Sequence, residues 1–400
     1  MQAEDKKRGV YILVGILTTI VVLAFARLSY GVVLPYMRDG LLLTYKKAGL
    51  LGTVTSFGYL GTVFFAGIIA SRFGAKNIIL AGISLVTIGF VGLSFTRTYG
   101  FSVASMLLLG IGTALTYINL ISLLTAWFPQ IRGFIIGTVT SGVGIGMFLT
   151  GLIVPYLNKI YPKVGWRVTW GVFAAISVLV IILTIIFIKN PPSFVPSVIG
   201  MANTSHKEIY SNRNVILLGV IYGIVGLCYI VQSLFCMSFM LNSGIAPNFA
   251  GHVVALNGIL SIFSGPAWGF LSDRFGRKYS LTFTMGLTVI GTFLPILWPT
   301  QLGFSCQAII LGSVMSGVFT LVQAGSMDHV PLKNVPVALS YITFFFASGQ
   351  LLGPAIAGWF IEDFGGFKVA YYFTTTWLLI GFFLTIIVKN SKWTKQSLAK

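Results

Sequence analysis

The sequence predicts an all-α membrane protein: twelve transmembrane helices arranged as two pseudo-symmetric six-helix bundles. Three observations predict it. Of the 400 residues 56% are hydrophobic and 8% are charged, with a mean hydropathy of +0.92, whereas soluble domains carry about 25% charged residues. Apolar runs long enough to cross about 30 Å of hydrocarbon recur along the whole chain. A decapeptide also repeats half a chain apart, GIIASRFGAK at Gly67–Lys76 and GFLSDRFGRK at Gly269–Lys278, an offset of 202 residues. Because lipid offers the backbone no water, the runs read as helices, and they lack the short alternating segments of a barrel.

In chain order the spans are read at 10–37, 46–70, 77–96, 100–127, 133–157, 167–188, 214–241, 248–271, 279–298, 302–326, 335–361 and 367–388. The first run is too long for a cleavable signal peptide, so span one is expected to stay in the mature chain. The two decapeptides follow spans two and eight. A fainter echo precedes spans six and twelve, VGWRVTW at Val164–Trp170 and GGFKVAYY at Gly365–Tyr372. Between the halves lies the polar, proline-bearing stretch KNPPSFVPSVIGMANTSHKEIYSNRN. The expected organisation is a bundle over 1–188, a cytoplasmic linker over 189–213 and a second bundle over 214–400.

A formal net charge of +18 invites a nucleic-acid reading, but the basic residues are scattered over the loops and form no stripe. With both termini cytoplasmic, 17 of the 26 Lys and Arg fall inside and 8 outside, as the positive-inside rule expects for a multi-pass protein of the inner membrane. Lys159, Lys163 and Arg167 are the exception, a basic cluster on the outside. Cys228, Cys236 and Cys306 lie in spans and read as small buried residues. His206, His252 and His329 lie in three regions without ligand spacing, so neither a metal nor any other cofactor is expected.

The decapeptide is where a resemblance becomes specific. Gly269, Asp273, Arg274, Gly276, Arg277 and Lys278 match G-x-x-x-D-R-x-G-R-K, the signature loop of the major facilitator superfamily, and the whole chain resembles a transporter of that family. The first copy keeps Gly67, Arg72, Gly74 and Lys76 and departs at Ser71. The resemblance implies two bundles rocking about a central site near the midplane, alternately open to each side. It also implies a cytoplasmic latch in which Gly269 permits close helix contact, Gly276 makes a tight turn and Asp273 faces the positive end of span five near Arg132. The gating residues expected are Ser71, Arg72, Arg132, Asp273, Arg274 and Arg277.

Drug antiporters of the superfamily usually carry an Arg four residues before a glycine in span four and a Gly-Pro pair in span five. Here Met106 precedes Gly110, and span five reads GTVTSGVGIGMFLTG. Arg132, Gly133, Gly137, Gly142, Gly144 and Gly146, with GWR at Gly165–Arg167, instead resemble the monocarboxylate and oxalate/formate branch. The first span resembles that of a group of poorly characterised bacterial permeases, on Ala26, Arg27, Tyr30, Gly31, Leu34, Pro35 and Met37.

Arg27 is the residue that raises the question of substrate. It follows the apolar run Ile20–Ala26 and shares a helical stripe with Ala24, Tyr30, Gly31 and Leu34, and such a cation should face the protein interior or a watery cavity. All eight acidic residues, Glu4, Asp5, Asp39, Glu208, Asp273, Asp328, Glu362 and Asp363, fall in tails, loops or span ends. A substrate bringing its own negative charge would suit Arg27. Snorkelling to headgroups, pairing with Asp39 or Glu362, or bonding to backbone carbonyls are the structural alternatives. Other polar residues within spans that could line a substrate site are Tyr30, Tyr117 and Asn119 in the first half, and Tyr229, Gln232, Asn257, Gln323 and Gln350 in the second.

The function expected is secondary transport of a small organic solute, an organic anion such as a carboxylate. The alternatives are efflux of a drug or other small molecule, or a non-transporting sensor on the same fold. No nucleotide-binding loop and no hydrolytic constellation is legible, so neither an ATP-driven pump nor an enzyme is expected. The partners expected are the substrate, a coupling proton or exchanged anion in symport or antiport, and the lipid bilayer, with a monomer as the working state.

Overall fold

The structure, a computed structural model, describes residues 2–190, 210–330 and 335–389, without the side chains of residues 2–7, 129, 132, 133 and 336. Most of the expected linker, His206 within it and the C-terminal tail lie outside the described residues. Among the described residues there is no strand, and twelve helices are long and apolar enough to cross a membrane. These are Arg8–Leu28, Tyr45–Phe73, Ala75–Phe95, Tyr99–Trp127, Phe134–Ile160, Gly165–Phe187, Arg213–Asn242, Pro247–Phe275, Arg277–Leu297, Gln301–Met327, Val337–Asp363 and Phe367–Ile387, spans one to twelve below.

The chain divides into two compact units. One comprises the described residues of Met1–Val198 together with Leu234–Ile262, and the other those of Ile199–Ser233 and Phe263–Lys400. Spans seven and eight therefore contribute to both.

In the first unit span four packs on spans two and three, and span six on span three. Small residues make this possible, as is usual where lipid leaves packing to drive association. A Cβ on Gly112 of span four would fall 2.5 Å from the Gly82 carbonyl oxygen of span three. Aromatic side chains fill the remaining volume: Phe25 of span one stacks on Phe173 of span six with centroids 4.1 Å apart, and Trp170 and Phe90 pack beside them. The glycines of span five serve two faces. Gly142 and Gly146 lie against Ile16 and Ala24 of span one, while Gly144 and Gly151 lie against Gly258 and Gly251 of span eight. Gly137 has nothing within 4 Å of a built Cβ.

In the second unit span nine packs on spans ten and twelve, which repeats the way span three packs on spans four and six. A buried core runs through Val215, Leu218, Val225, Met285, Val318, Leu321 and Leu378.

The decapeptides repeat in space as well as in sequence. Gly74 and Gly276 take φ of +84° and +90°, conformations that favour glycine, and each joins a helix ending in Phe to the next. The closing lysines cap matching helix ends: Lys76 Nζ donates to the Ile185 carbonyl at 2.8 Å and Lys278 Nζ to the Ile386 carbonyl at 2.7 Å. A Cβ on Gly269 would come no nearer than 3.8 Å, to Thr320 Cγ2, and one at Gly67 would meet nothing within 4 Å.

Span one departs from the single α-helix expected over 10–37. It runs as α-helix over Gln2–Thr19, as π-helix over Ile20–Leu28 and again as α-helix over Tyr30–Leu41. A hydroxyl from a neighbour meets this segment: Thr113 of span four lies 2.8 Å from the Val22 carbonyl oxygen and 2.7 Å from that of Leu109 in its own helix, while Ser29 N–H reaches back five residues to the Ala24 carbonyl at 2.8 Å. A side chain inserted into the backbone ladder is a recognised cause of such widening, which often marks functional segments. Arg27 is carried by this widened turn.

Candidate functional site

The wide turn sets Arg27 against span two. Its guanidinium carbon lies 4.1 Å from the ring centroid of Tyr59, an attraction of about 0.5–2 kcal/mol that also fixes where the cation sits. Tyr117 of span four, close enough to Tyr59 to interact with it electrostatically, shares a hydrogen bond with the Thr140 hydroxyl of span five at 3.1 Å. A half-buried cation, two tyrosines and a threonine are thus drawn from spans one, two, four and five. Tyr59 was not singled out from the sequence: a lone tyrosine in FGYLG gives no sign of which neighbour its helix turns it toward.

The other sequence candidates divide by what their polar atoms already do. Tyr30 is buried, and its hydroxyl donates to the Ala48 carbonyl at 2.9 Å, tying span one to span two. Asn119 is buried and donates to the Ala66 and Leu115 carbonyls. Gln232 donates to Thr292 at 2.8 Å and accepts from Gln307 at 3.2 Å, in a buried ladder across spans seven, nine and ten. These three act as ties between helices. Gln323 donates to the Tyr222 hydroxyl at 2.8 Å, and Tyr222 stacks on Phe346 while Tyr229 meets Phe319 edge to face at 5.2 Å. Gln323 and Tyr229 therefore belong to an aromatic group of the second unit. Gln350 is buried, and Asn257 is half-buried beside Gly258.

The gating candidates look different in the two copies of the loop. Arg277 Nε meets Asp328 Oδ2 at 2.7 Å, and its Nη2 lies 3.6 Å from Asp273 Oδ1. Asp328, just past span ten, was counted from the sequence only among the loop carboxylates. Burial pushes its carboxyl up from the usual range, Arg277 and His329 pull it back and Asp273 adds to the rise. In the first copy the Ser71 hydroxyl donates to Ile68 of its own helix at 2.6 Å. Arg72 and Arg274 lie over Phe73 and Phe270, the phenylalanines beside them in their own helices. The side chain of Arg132 lies outside the described residues. Asp39, one suggested partner for Arg27, is bound by Arg38 at 2.7 Å. Among the described residues no three His, Cys, Asp or Glu gather as a metal would require.

Comparison with known proteins decides the family. The profile of a family described as the uncharacterised MFS-type transporter YbfB matches residues 19–386. The chain belongs to the major facilitator superfamily. Within this superfamily it is similar to an MFS transporter, asaE, of Aspergillus flavus, at 25% identity over 74% of this chain and 66% of that protein. It is similar to human monocarboxylate transporter 6 at 24% identity, over 78% of this chain and 66% of that one. The chain thus spans just under two thirds of both relatives. Among solved structures, a bacterial homologue of the human lysosomal transporter Spinster, inward-facing and unoccupied, superposes with a TM-score of 0.80 at 15% identity, over 99% of this chain and 98% of that one. The fold is that of a multi-pass transporter of this superfamily.

Proposed function

We propose that the protein is a secondary transporter that moves a small organic anion, a carboxylate with an apolar body, by alternating access, with Arg27 as the group that receives the negative charge. The observation that carries the reading is Arg27 held over Tyr59 in the π-helical turn of span one. A guanidinium kept at membrane depth is costly and is retained where it does something. Its planar fork matches a carboxylate with two parallel hydrogen bonds. Tyr59 and Tyr117 would face the apolar body and supply hydroxyls at its edge. Relatives named monocarboxylate transporters support the same class of solute.

Binding of the carboxylate spreads the Arg27 charge over a neutral pair, which lowers the cost of burying both as the transporter changes state. Energy would come from exchange, from the membrane potential or from a proton, and the chain is read as a transporter with no catalytic step. The decapeptide face, both termini and the 189–213 linker are placed in the cytoplasm, with the protein monomeric in the inner membrane. Single cysteines at Ser193 and Lys395, in a background without the native three, should then resist impermeant thiol reagents in intact cells.

The test is a panel of organic anions, neutral solutes and cations screened by thermal shift on purified protein, followed by uptake into liposomes. A carboxylate that raises the unfolding temperature and is then accumulated supports the reading. Stabilisation only by cations or neutral drugs would favour efflux of another solute class. Binding without flux would favour a sensor.

A further inference from the structure

Trp127 and His329 are 202 residues apart, the offset of the decapeptides, and each reaches the carbonyl of a lysine just past the last span of its half. The Trp127 indole N–H donates to the Lys189 carbonyl at 2.7 Å. His329 Nε2 stands 3.1 Å from the Lys389 carbonyl oxygen. The lysine backbone N–H groups are held in parallel fashion, Lys189 by the Tyr11 hydroxyl at 3.2 Å and Lys389 by Asn214 Oδ1 at 3.3 Å. The same clasp is built twice with different rings.

The difference between the rings is chemical. An indole nitrogen only donates, so the first clasp needs no choice of protonation state. His329 has a second demand on it, because Nδ1 stands 2.7 Å from the Gly325 carbonyl oxygen. A carbonyl oxygen accepts and cannot donate. A neutral imidazole has one N–H and one lone pair, and whichever nitrogen carries the lone pair faces an oxygen lone pair. Both contacts become hydrogen bonds only when the ring carries two protons.

We infer that His329 is a proton-binding site whose protonated ring clasps the end of span ten to the end of span twelve, whereas the Trp127 clasp in the first half is indifferent to pH. The half-buried ring takes its proton from water at the nitrogen lone pair and returns it as pH rises. One carbonyl then loses its donor and the clasp loosens. The charged groups set around His329 among the described residues are Asp328 before it, Arg277 and Asp273 on Asp328, and Lys278 on the Ile386 carbonyl of span twelve. Arg213 sits beside Asn212, whose amide donates to the His329 carbonyl at 3.1 Å.

The sign follows from linkage: contacts that need the added proton are made at low pH and lost at high pH, once the ring gives that proton up. Hydrogen exchange of the full-length protein in nanodiscs, corrected for intrinsic rates, reads it directly at residues 384–389 and at the matching end of span six. Charge-assisted bonds commonly change a local opening equilibrium about tenfold. The expected result is about tenfold greater protection at pH 6 than at pH 8.5 for the end of span twelve, with no change at the end of span six. His329→Trp, which copies the first half, should hold protection high at both pH values, and His329→Gln should remove the pH dependence. Equal protection of the wild type at the two pH values would overturn the inference, as would a pH dependence that survives in both variants. Should a variant fail to fold, the comparison of the two span ends within the wild type still decides.

Discussion

Lys76 and Lys278 make the same contact in the two halves of the chain, each ammonium donating to a carbonyl at the C-terminal end of the last span of its half, Ile185 at 2.8 Å and Ile386 at 2.7 Å. Carbonyls at helix ends lack intrahelical partners, and a cation there also meets the negative end of the helix dipole. This gives the decapeptide's last residue a structural task in both copies, whatever the rest of the loop does. Lys76→Met and Lys278→Met should each lower stability by about 0.3–1 kcal/mol. Thermal unfolding of the two variants should agree closely; a large asymmetry would mean that one lysine serves another purpose.

The second copy adds an ion pair that the first lacks. Asp328 is half-buried, and its carboxyl is raised by that burial despite Arg277. A carboxyl whose folded pKa is raised favours the fold more when protonated, so its contribution falls as pH rises through the range between its unfolded and folded values. Asp328→Asn, fixed in the neutral form, should therefore gain stability relative to the wild type as pH is raised from 4 to 7. Arg277→Gln leaves Asp328 and Asp273 without their cation and should be the more damaging change at pH 7. Unfolding temperatures across pH test both statements.

Tyr30 ties two helices, whereas Tyr59 lies under Arg27 at the proposed site. Removing the Tyr30 hydroxyl deletes its bond to the Ala48 carbonyl and should cost about 0.5–1.5 kcal/mol of stability. Affinity for the proposed anion should survive in Tyr30→Phe. Tyr59→Leu removes the ring under Arg27 and should weaken binding more than it lowers the unfolding temperature. Paired measurements of unfolding and ligand affinity on the two variants would expose the reverse pattern if the assignments are exchanged.

Thr113→Val tests the origin of the wide turn. The substitution keeps the shape of the side chain and removes the donor to the Val22 carbonyl. Anion affinity should fall several-fold in Thr113→Val, and Thr113→Ser should restore it. If Thr113→Val binds like the wild type, the hydroxyl does not position Arg27.

These residues show where the sequence was legible. The twelve apolar runs, the turn glycines Gly74 and Gly276 and the repeat itself follow from local chemistry: hydrophobic length, positive φ and a copied decapeptide. Arg27 stood out because charge is rare in such runs. Its partner Tyr59 did not, since contact between helices depends on how each is rotated, and a tyrosine in an apolar helix fits many rotations. The π-helical turn is hidden for a similar reason: the Thr113 hydroxyl that meets it lies 91 residues from Val22. Tyr30, Asn119 and Gln232 looked like site residues because they are polar in apolar spans, and the structure uses that polarity to tie helices together. Asp328 and His329 gave no pattern at all, being a loop pair whose meaning depends on Arg277 and on the end of span twelve.

The most direct test concerns Arg27. The anion that most stabilises the wild type serves as the probe, and its affinity is measured for wild type, Arg27→Ala and Arg27→Lys in the same lipid. Truncating one member of a desolvated charge pair costs about 2–5 kcal/mol, roughly 30-fold to several thousand-fold in affinity. The expected result is a loss of that size in Arg27→Ala and partial recovery in Arg27→Lys, with all three proteins still folded and inserted in the membrane. Undiminished affinity in Arg27→Ala would contradict it.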